Sequence, residues 1–328
     1  MASEPILDIY CISVKRKKRR DESCFRDLLK KKFNVQSISD KDLFMKFIGG
    51  FIDGLNDING CYRVKDTKKI LTIKPIDIEG NEYKFDPKFK IELDDFYFSG
   101  VIHGGKYGEK RFTIPIDNKN EQKELPNNIA LTREFFFMIH LPMDSNIGIL
   151  IIQSYTGTSY FPHLSCYLNK ELLSSIEYCQ THYFPIYLDS IRNSIRDRSY
   201  TKSLTYYKKT ELNSMVGDNN ESLVLGRFKV TVNIQPIEDE ICTLEDFDNA
   251  FKELAENQNV ENWDKKATIS DMESGKKRSF FLNNDNSLKP RILLSDFIEV
   301  SEDGSFSIDD IYHYCKNILP EVIQTIKN

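Results

Sequence analysis

The chain has 328 residues and a formal net charge of −5. This excludes a uniformly basic nucleic-acid coat but leaves room for a local cationic face, because a ligand answers to the local field and not to the sum. Its 40% hydrophobic and 12% aromatic content is enough for one large domain or two ordinary ones. No apolar run approaches the roughly 18–20 residues that cross a bilayer.

Other bulk features set the expected compartment. The N-terminal charges follow the apolar run instead of preceding it, the wrong order for a secretory leader. Seven scattered cysteines fit reduced thiols. The expectation is a cytoplasmic protein with no membrane association, and the abundance of Lys, Ile, Asn and Phe suits an AT-rich bacterial genome.

In chain order, Pro5–Val14 is apolar on both faces and predicts a buried strand that runs into the basic stretch Lys15–Arg20. Ser23–Phe33 and Lys41–Leu55 carry apolar residues at helical spacing, the second behind an N-cap at Ser39 or Asp40. A β-rich meander follows: Tyr62–Val64, Lys69–Pro75, Glu82–Phe85, Phe89–Leu93, Phe96–His103 and Lys110–Ile116. Asp117–Asn128 is polar and predicts an exposed loop.

Glu134–Leu141 and Ile147–Tyr155 are nearly unbroken apolar runs, joined by the turn residues Pro142–Asn146. A half-exposed strand alternates and these do not, so they predict a hairpin buried on both faces, around which the rest is organised. Leu168–Gln180 predicts a helix, Tyr183–Leu188 a strand and Ile191–Asp197 a short basic helix. Beyond a loop at Asn213–Asn220, Ser222–Gln235 alternates as a strand and Thr243 caps a helix over Leu244–Glu256. Two strands (Ala267–Met272, Lys277–Leu282), the run Arg291–Val300 and a helix Ile308–Ile326 capped by Ser307 complete the chain. The fold class expected is α+β: a mostly antiparallel sheet around a buried central hairpin, with helices packed on its faces. An α+β core over 1–212 and a C-terminal α+β region over 222–328 meet at the least apolar break, or form one continuous domain.

Two basic clusters are candidate phosphate contacts: Lys15, Arg16, Lys17, Lys18, Arg19 and Arg20, and Arg192, Arg196, Arg198 and Lys202. Neutralising phosphates with such side chains gives salt-dependent, sequence-independent binding. Tyr200, Tyr206 and Tyr207 beside Lys208 and Lys209 could stack on unpaired bases. The bland reading of each cluster is a solvated basic surface. Acidic residues pool at Glu238–Glu240 and along the Leu244–Glu256 helix, which could dock a basic protein partner.

Gly100–Arg111 is glycine-rich with Lys106, Lys110 and Arg111 nearby. Its main-chain N–H groups could face a phosphate, but it lacks P-loop spacing, and a hairpin turn explains its glycines equally. His163, Cys166, Cys179 and His182 match the arithmetic of a zinc site. A continuous helix between the pairs would hold them about 18 Å apart, so no metal ligand is assigned. Asp66, Glu82 and Lys84 have the Asp…Glu-x-Lys order of metal-dependent nucleases. No Gly-x-Ser-x-Gly elbow is present, and no catalytic residue and no cofactor is assigned.

The order of a DIYCISVKR strand, a helix pair, a meander, a hairpin of FFFMIHL and IGILIIQSYTG, and a helix resembles bacterial proteins found beside phage-defence and mobile-element genes. The resemblance implies a non-catalytic nucleic-acid-binding or partner-binding component of an antiviral defence system, with a protein partner encoded nearby. The alternatives are the metal-dependent nuclease and a structural interaction subunit.

Overall fold

The structure is a computed structural model that describes residues 4–16, 24–55, 62–64, 67–73, 78–79, 82–83, 89–117, 120–173, 179–216, 221–237, 242–254, 262–273, 275, 277–282, 288–301 and 306–327. Its elements begin with β1 (Pro5–Arg16), α1 (Phe25–Phe33) and α2 (Asp40–Leu55). The meander follows as β2 (Tyr62–Val64), β3 (Lys69–Thr72), β4 (Ile78–Glu79), β5 (Glu82–Tyr83), β6 (Lys90–Glu92), β7 (Tyr97–Lys106), β8 (Arg111–Thr113) and β9 (Lys123–Leu125). Next are β10 (Leu131–His140), β11 (Ile147–Tyr155), α3 (Phe161–Leu173), β12 (Cys179–Pro185), α4 (Asp189–Arg198), β13 (Ser199–Val216) and β14 (Glu221–Ile234). The chain closes with α5 (Leu244–Leu254), β15 (Asp264–Asp271), β16 (Lys277–Leu282), β17 (Leu288–Lys289), β18 (Ile292–Leu293) and α6 (Ile308–Lys327). This is an α+β protein with antiparallel sheets and, among the described residues, six α-helices.

The chain forms two compact units, residues 1–186 with 292–328, and residues 187–291. In the first, a sheet runs in the order β12-β1-β11-β10-β7-β3-β2, with β18 beside β1 and β6 beside β7. The expected hairpin β10–β11 lies in the middle, paired from Phe137↔Ile152 to His140↔Ile149. Alternate residues Phe135, Phe137 and Ile139 face a core built with α1, α2 and α3. There Phe51, Phe98 and Phe137 meet in tilted and edge-to-face contacts, with centroids 5.3–5.6 Å apart, the geometry that ring quadrupoles favour. The buried Phe136 and Met138 point to the other face, and α6 packs on β10.

The helix signals read from the sequence are made locally. The Ser39 hydroxyl accepts from the Asp42 N–H at 3.2 Å and donates to its carboxylate at 2.6 Å, so α2 begins one residue earlier than expected. Arg26 ties α1 to α2 through two hydrogen bonds to Asp40, at 2.7 and 2.6 Å.

In the second unit a five-stranded sheet runs β14-β13-β15-β16-β17. One face carries Leu204, Tyr206, Ala267, Ile269, Phe280 and Leu282, covered by Phe247 and Phe251 of α5. Thr243 and Asp246 cap α5 reciprocally, with N–H···O distances of 2.7 and 3.2 Å. Asp248 on the same helix accepts from the Tyr206 hydroxyl at 2.6 Å and from the buried Lys265 ammonium at 2.9 Å.

The structure differs from the sequence reading at several elements. The loop expected at Asp117–Asn128 contains β9, paired with β8. The helix expected over Leu168–Gln180 starts at Phe161 and is described to Leu173, while Cys179–Pro185 is a strand on β1. Pro162 sits in the first turn of α3, where its missing N–H is not needed. The 210–222 break lies within the second unit: both sides of it are strand, paired as the β13–β14 hairpin. Arg291–Val300 is a two-residue strand and a short 3₁₀ turn. No described helix is long and apolar enough to cross a membrane.

Candidate anion-binding site

Cations converge at one end of the first unit's sheet. The register places Lys69 opposite Lys106, and Lys106 opposite Leu131. Two residues along, the next row of the same face is Leu71, Gly104 and Arg133. One row further lie Phe135 and Ile102, both in the aromatic core. A single sheet face thus passes from core to cationic rim along its strands, because side chains two apart share a face.

The rim walls an open cavity of about 670 Å³, lined by Lys69, Lys106, Arg111, Arg133, Tyr160 and the Thr156–Thr158 turn, among others. Gly157 makes that turn with φ of +81°. Among the described residues, four cations border the cavity and none of the lining residues is a carboxylate. Arg111 is paired with Glu109 at 2.5 Å, from outside the lining set. The Lys69 ammonium lies 5.0 Å from the Tyr160 ring centroid, and the Arg133 guanidinium 4.2 Å from that of Tyr155. Burial, and then the charge of Lys106, hold the Lys69 pKa below its ordinary value. An anion between the two lysines would reverse that second effect. His163 on α3 accepts or donates at Nε2 to the Thr67 hydroxyl at 3.1 Å, and its buried Nδ1 has no partner among the described residues. Burial and Lys69 lower its pKa, so it is neutral at pH 7.

The glycines of the Gly100–Arg111 stretch have another role than the one read from sequence. Gly104 and Gly105 lie inside β7, in the ladder with β10 and β3. A Cβ on Gly104 would stand 2.7 Å from the Tyr160 ring, and one on Gly105 2.6 Å from the Leu131 carbonyl oxygen. They permit close packing, and only Gly108 makes a turn with positive φ, +75°. The phosphate-binding potential of this stretch resides in its lysine and arginine side chains, joined by Lys69 and Arg133 from strands far away in sequence.

The residues predicted from sequence fall elsewhere. Lys15 is exposed at the end of β1, Arg16 is the last residue of that strand, and Lys17, Lys18, Arg19 and Arg20 lie outside the described residues. β1 runs against β11 from Pro5↔Tyr155 to Ser13↔Ile147. Lys15 is therefore at the opposite end of the sheet from the Thr156–Tyr160 wall, about 33 Å away at 3.3 Å per residue. In the second unit, Arg192 donates to the Leu288 carbonyl at 3.0 Å and to Asp189 at 2.7 Å, and Arg198 donates to Ser194. Arg196 is exposed and Lys202 half-buried beside a bulge in β13.

For the zinc arithmetic, His163 and Cys166 lie on α3 and Cys179 and His182 on β12. Among the described residues no group of three or more His, Cys, Asp or Glu is placed to hold a metal ion. Asp66 and Lys84 of the nuclease-like set lie outside the described residues, and Glu82 is in β5. A second cavity of about 780 Å³ is lined by Cys24, His140 and Asp144 among others. Burial lowers the His140 pKa to about 4 and raises that of Cys24. Both are uncharged at pH 7, the opposite of an activated thiolate–imidazolium pair.

The chain is an α+β protein in which four cationic side chains border one cavity at an end of the first unit's sheet. No family model, no curated protein and no solved structure matches the chain.

Proposed function

We propose that this protein is a nucleic-acid-binding component of a bacterial antiviral defence system, acting in the cytoplasm with a protein partner encoded nearby and without catalysis of its own. In this reading, backbone phosphates occupy the pocket formed by Lys69, Lys106, Arg111 and Arg133. The observation that carries it is the convergence of four cations on a cavity whose lining, among the described residues, contains no carboxylate. Like charges opposed across neighbouring strands cost stability, and Lys69 opposite Lys106 is tolerable in a site that an anion completes. The cavity volume lies in the range of ordinary ligand sites. Lys15–Arg20 and the Arg192–Lys202 group supply further phosphate contacts in the same reading, with the defence context resting on the layout resemblance.

The test is a titration of the full chain with labelled oligonucleotides and with inorganic polyphosphate. Replacing Lys69 and Lys106 together by alanine weakens both by roughly tenfold or more, since charge-assisted hydrogen bonds are worth about 1.5–3 kcal/mol each. Unchanged affinity for both ligands in that variant removes the pocket from the reading. Absence of nucleic-acid binding by the wild-type chain removes the reading itself.

A further inference from the structure

The second unit presents a sheet face that its own core does not use. Residues directly opposite share a face, so the register fixes its composition. One row across five strands reads Asn233, Thr205, Lys266, Phe281 and Lys289. The next reads Thr231, Tyr207 and Asp264, and beyond it Lys209 stands opposite Lys229. Tyr206, by contrast, points inward and stacks on Phe251 at 4.0 Å.

On this outer face Phe281 is 51% exposed. Tyr207 lies beside it, with centroids 6.3 Å apart and planes at 72°. The Lys229 ammonium is 4.7 Å from the Tyr207 centroid and that of Lys266 is 6.0 Å from the Phe281 centroid. Lys266 and Lys289 flank Phe281 in its own row. Asp264 is the carboxylate of this face among the described residues on these rows.

We propose that this face binds single-stranded nucleic acid, with Tyr207 and Phe281 stacking on unpaired bases while Lys209, Lys229, Lys266 and Lys289 take the flanking phosphates. It deepens, and rests on, the nucleic-acid reading above, and adds a second surface and the strandedness of the ligand. A protein partner is disfavoured by the charge: on these rows, among the described residues, four lysines against one aspartate, with Glu211 opposite Arg227 in the row beyond, match a polyanion better than a mixed surface. A duplex is disfavoured by the rings, since paired bases do not offer their faces. Sheets that read single strands use this combination, two or three aromatics among cations, because every base has a π-face. The structural alternative is a cross-strand aromatic pair that merely steadies the sheet. It accounts for Lys229 on the Tyr207 ring but not for Lys209 opposite it or for Lys289 beside Phe281.

The experiment compares four probes on the full chain by fluorescence anisotropy: an oligothymidine, an abasic strand of equal length, a duplex and inorganic polyphosphate. The wild-type chain binds oligothymidine more tightly than the abasic strand and the duplex. Tyr207→Ala and Phe281→Ala each weaken oligothymidine binding by roughly tenfold or more and leave polyphosphate unchanged, and Tyr207→Phe retains the oligothymidine affinity. Both positions are on the surface, and circular dichroism verifies that the variants are folded. Equal affinity for oligothymidine and the abasic strand, or alanine variants that bind oligothymidine as wild type does, overturns this inference while nucleic-acid binding stands. A wild-type chain that binds none of the four probes overturns both.

Discussion

Gly104→Ala is the most informative single-atom change to the first unit. The added methyl would lie 2.7 Å from Tyr160 Cε1 and Cζ and 2.8 Å from Cδ1, against about 3.5–4.0 Å for relaxed carbon contacts. Roughly 0.8 Å must come from movement. The ring is 3% exposed and pressed on Phe135 with centroids 4.7 Å apart, so it cannot swing into solvent. Overpacking of this kind costs about 1–3 kcal/mol. Replacing a strand glycine by alanine returns about 0.5–1 kcal/mol through the unfolded chain. These ranges leave a net of about 0–2.5 kcal/mol, and the confined ring places the expected loss in their upper part, about 1–2 kcal/mol in urea denaturation followed by far-ultraviolet circular dichroism. Tyr160→Ala removes the obstacle, so the two substitutions together destabilise less than the sum of the singles. Wild-type stability for Gly104→Ala, or strict additivity in the double variant, refutes the packing argument. Because Tyr160 also walls the cavity and carries Lys69 on its ring face, Gly104→Ala weakens polyphosphate binding as well.

Two further predictions concern other buried polar groups. Asp248→Ala leaves the 8% exposed Lys265 side chain without its carboxylate, which lowers stability by about 3–5 kcal/mol; a loss under about 1 kcal/mol in the denaturation midpoint analysis contradicts the buried pair. His140 has its pKa depressed from 6.5 to about 4 by burial, so the unfolded chain binds the extra proton first. Its contribution is full above about pH 6.5 and is lost as pH falls towards 4, up to about 3 kcal/mol. Denaturation of His140→Gln across that window shows a flatter pH dependence than wild type, and an identical profile rules the assignment out.

The central hairpin was legible because both strands are buried on both faces, which writes an unbroken apolar run into the sequence. Capped helices were legible for a similar local reason: Ser39, Thr243 and Ser307 bond to N–H groups only three residues away. β13 was not legible. Its outer face carries Thr205, Tyr207 and Lys209 and its inner face Leu204 and Tyr206, so it read as a basic cluster with tyrosines. The start of α3 was not legible because a proline ordinarily signals a break, whereas Pro162 sits in the first turn, where a proline breaks nothing. The cationic pocket was only half visible. Lys106 and Arg111 stood out beside glycines, but Lys69 and Arg133 join them through strand register, and register is a tertiary outcome. The trace they leave in sequence is a charged residue at the end of an otherwise apolar strand, as in Thr132-Arg133-Glu134 before the phenylalanine run.

The account stands on phosphate binding at the Lys69–Lys106 row, and the dependence of affinity on salt measures it most directly. Logarithmic plots of oligonucleotide affinity against salt, from about 50 to 200 mM, have a slope set by the number of phosphates neutralised, near 0.7 each for single strands. The prediction is a steep negative slope for the wild-type chain that becomes shallower by about 1.4 when Lys69 and Lys106 are both alanine. A slope that is flat in the wild type, or the same in both proteins, contradicts it.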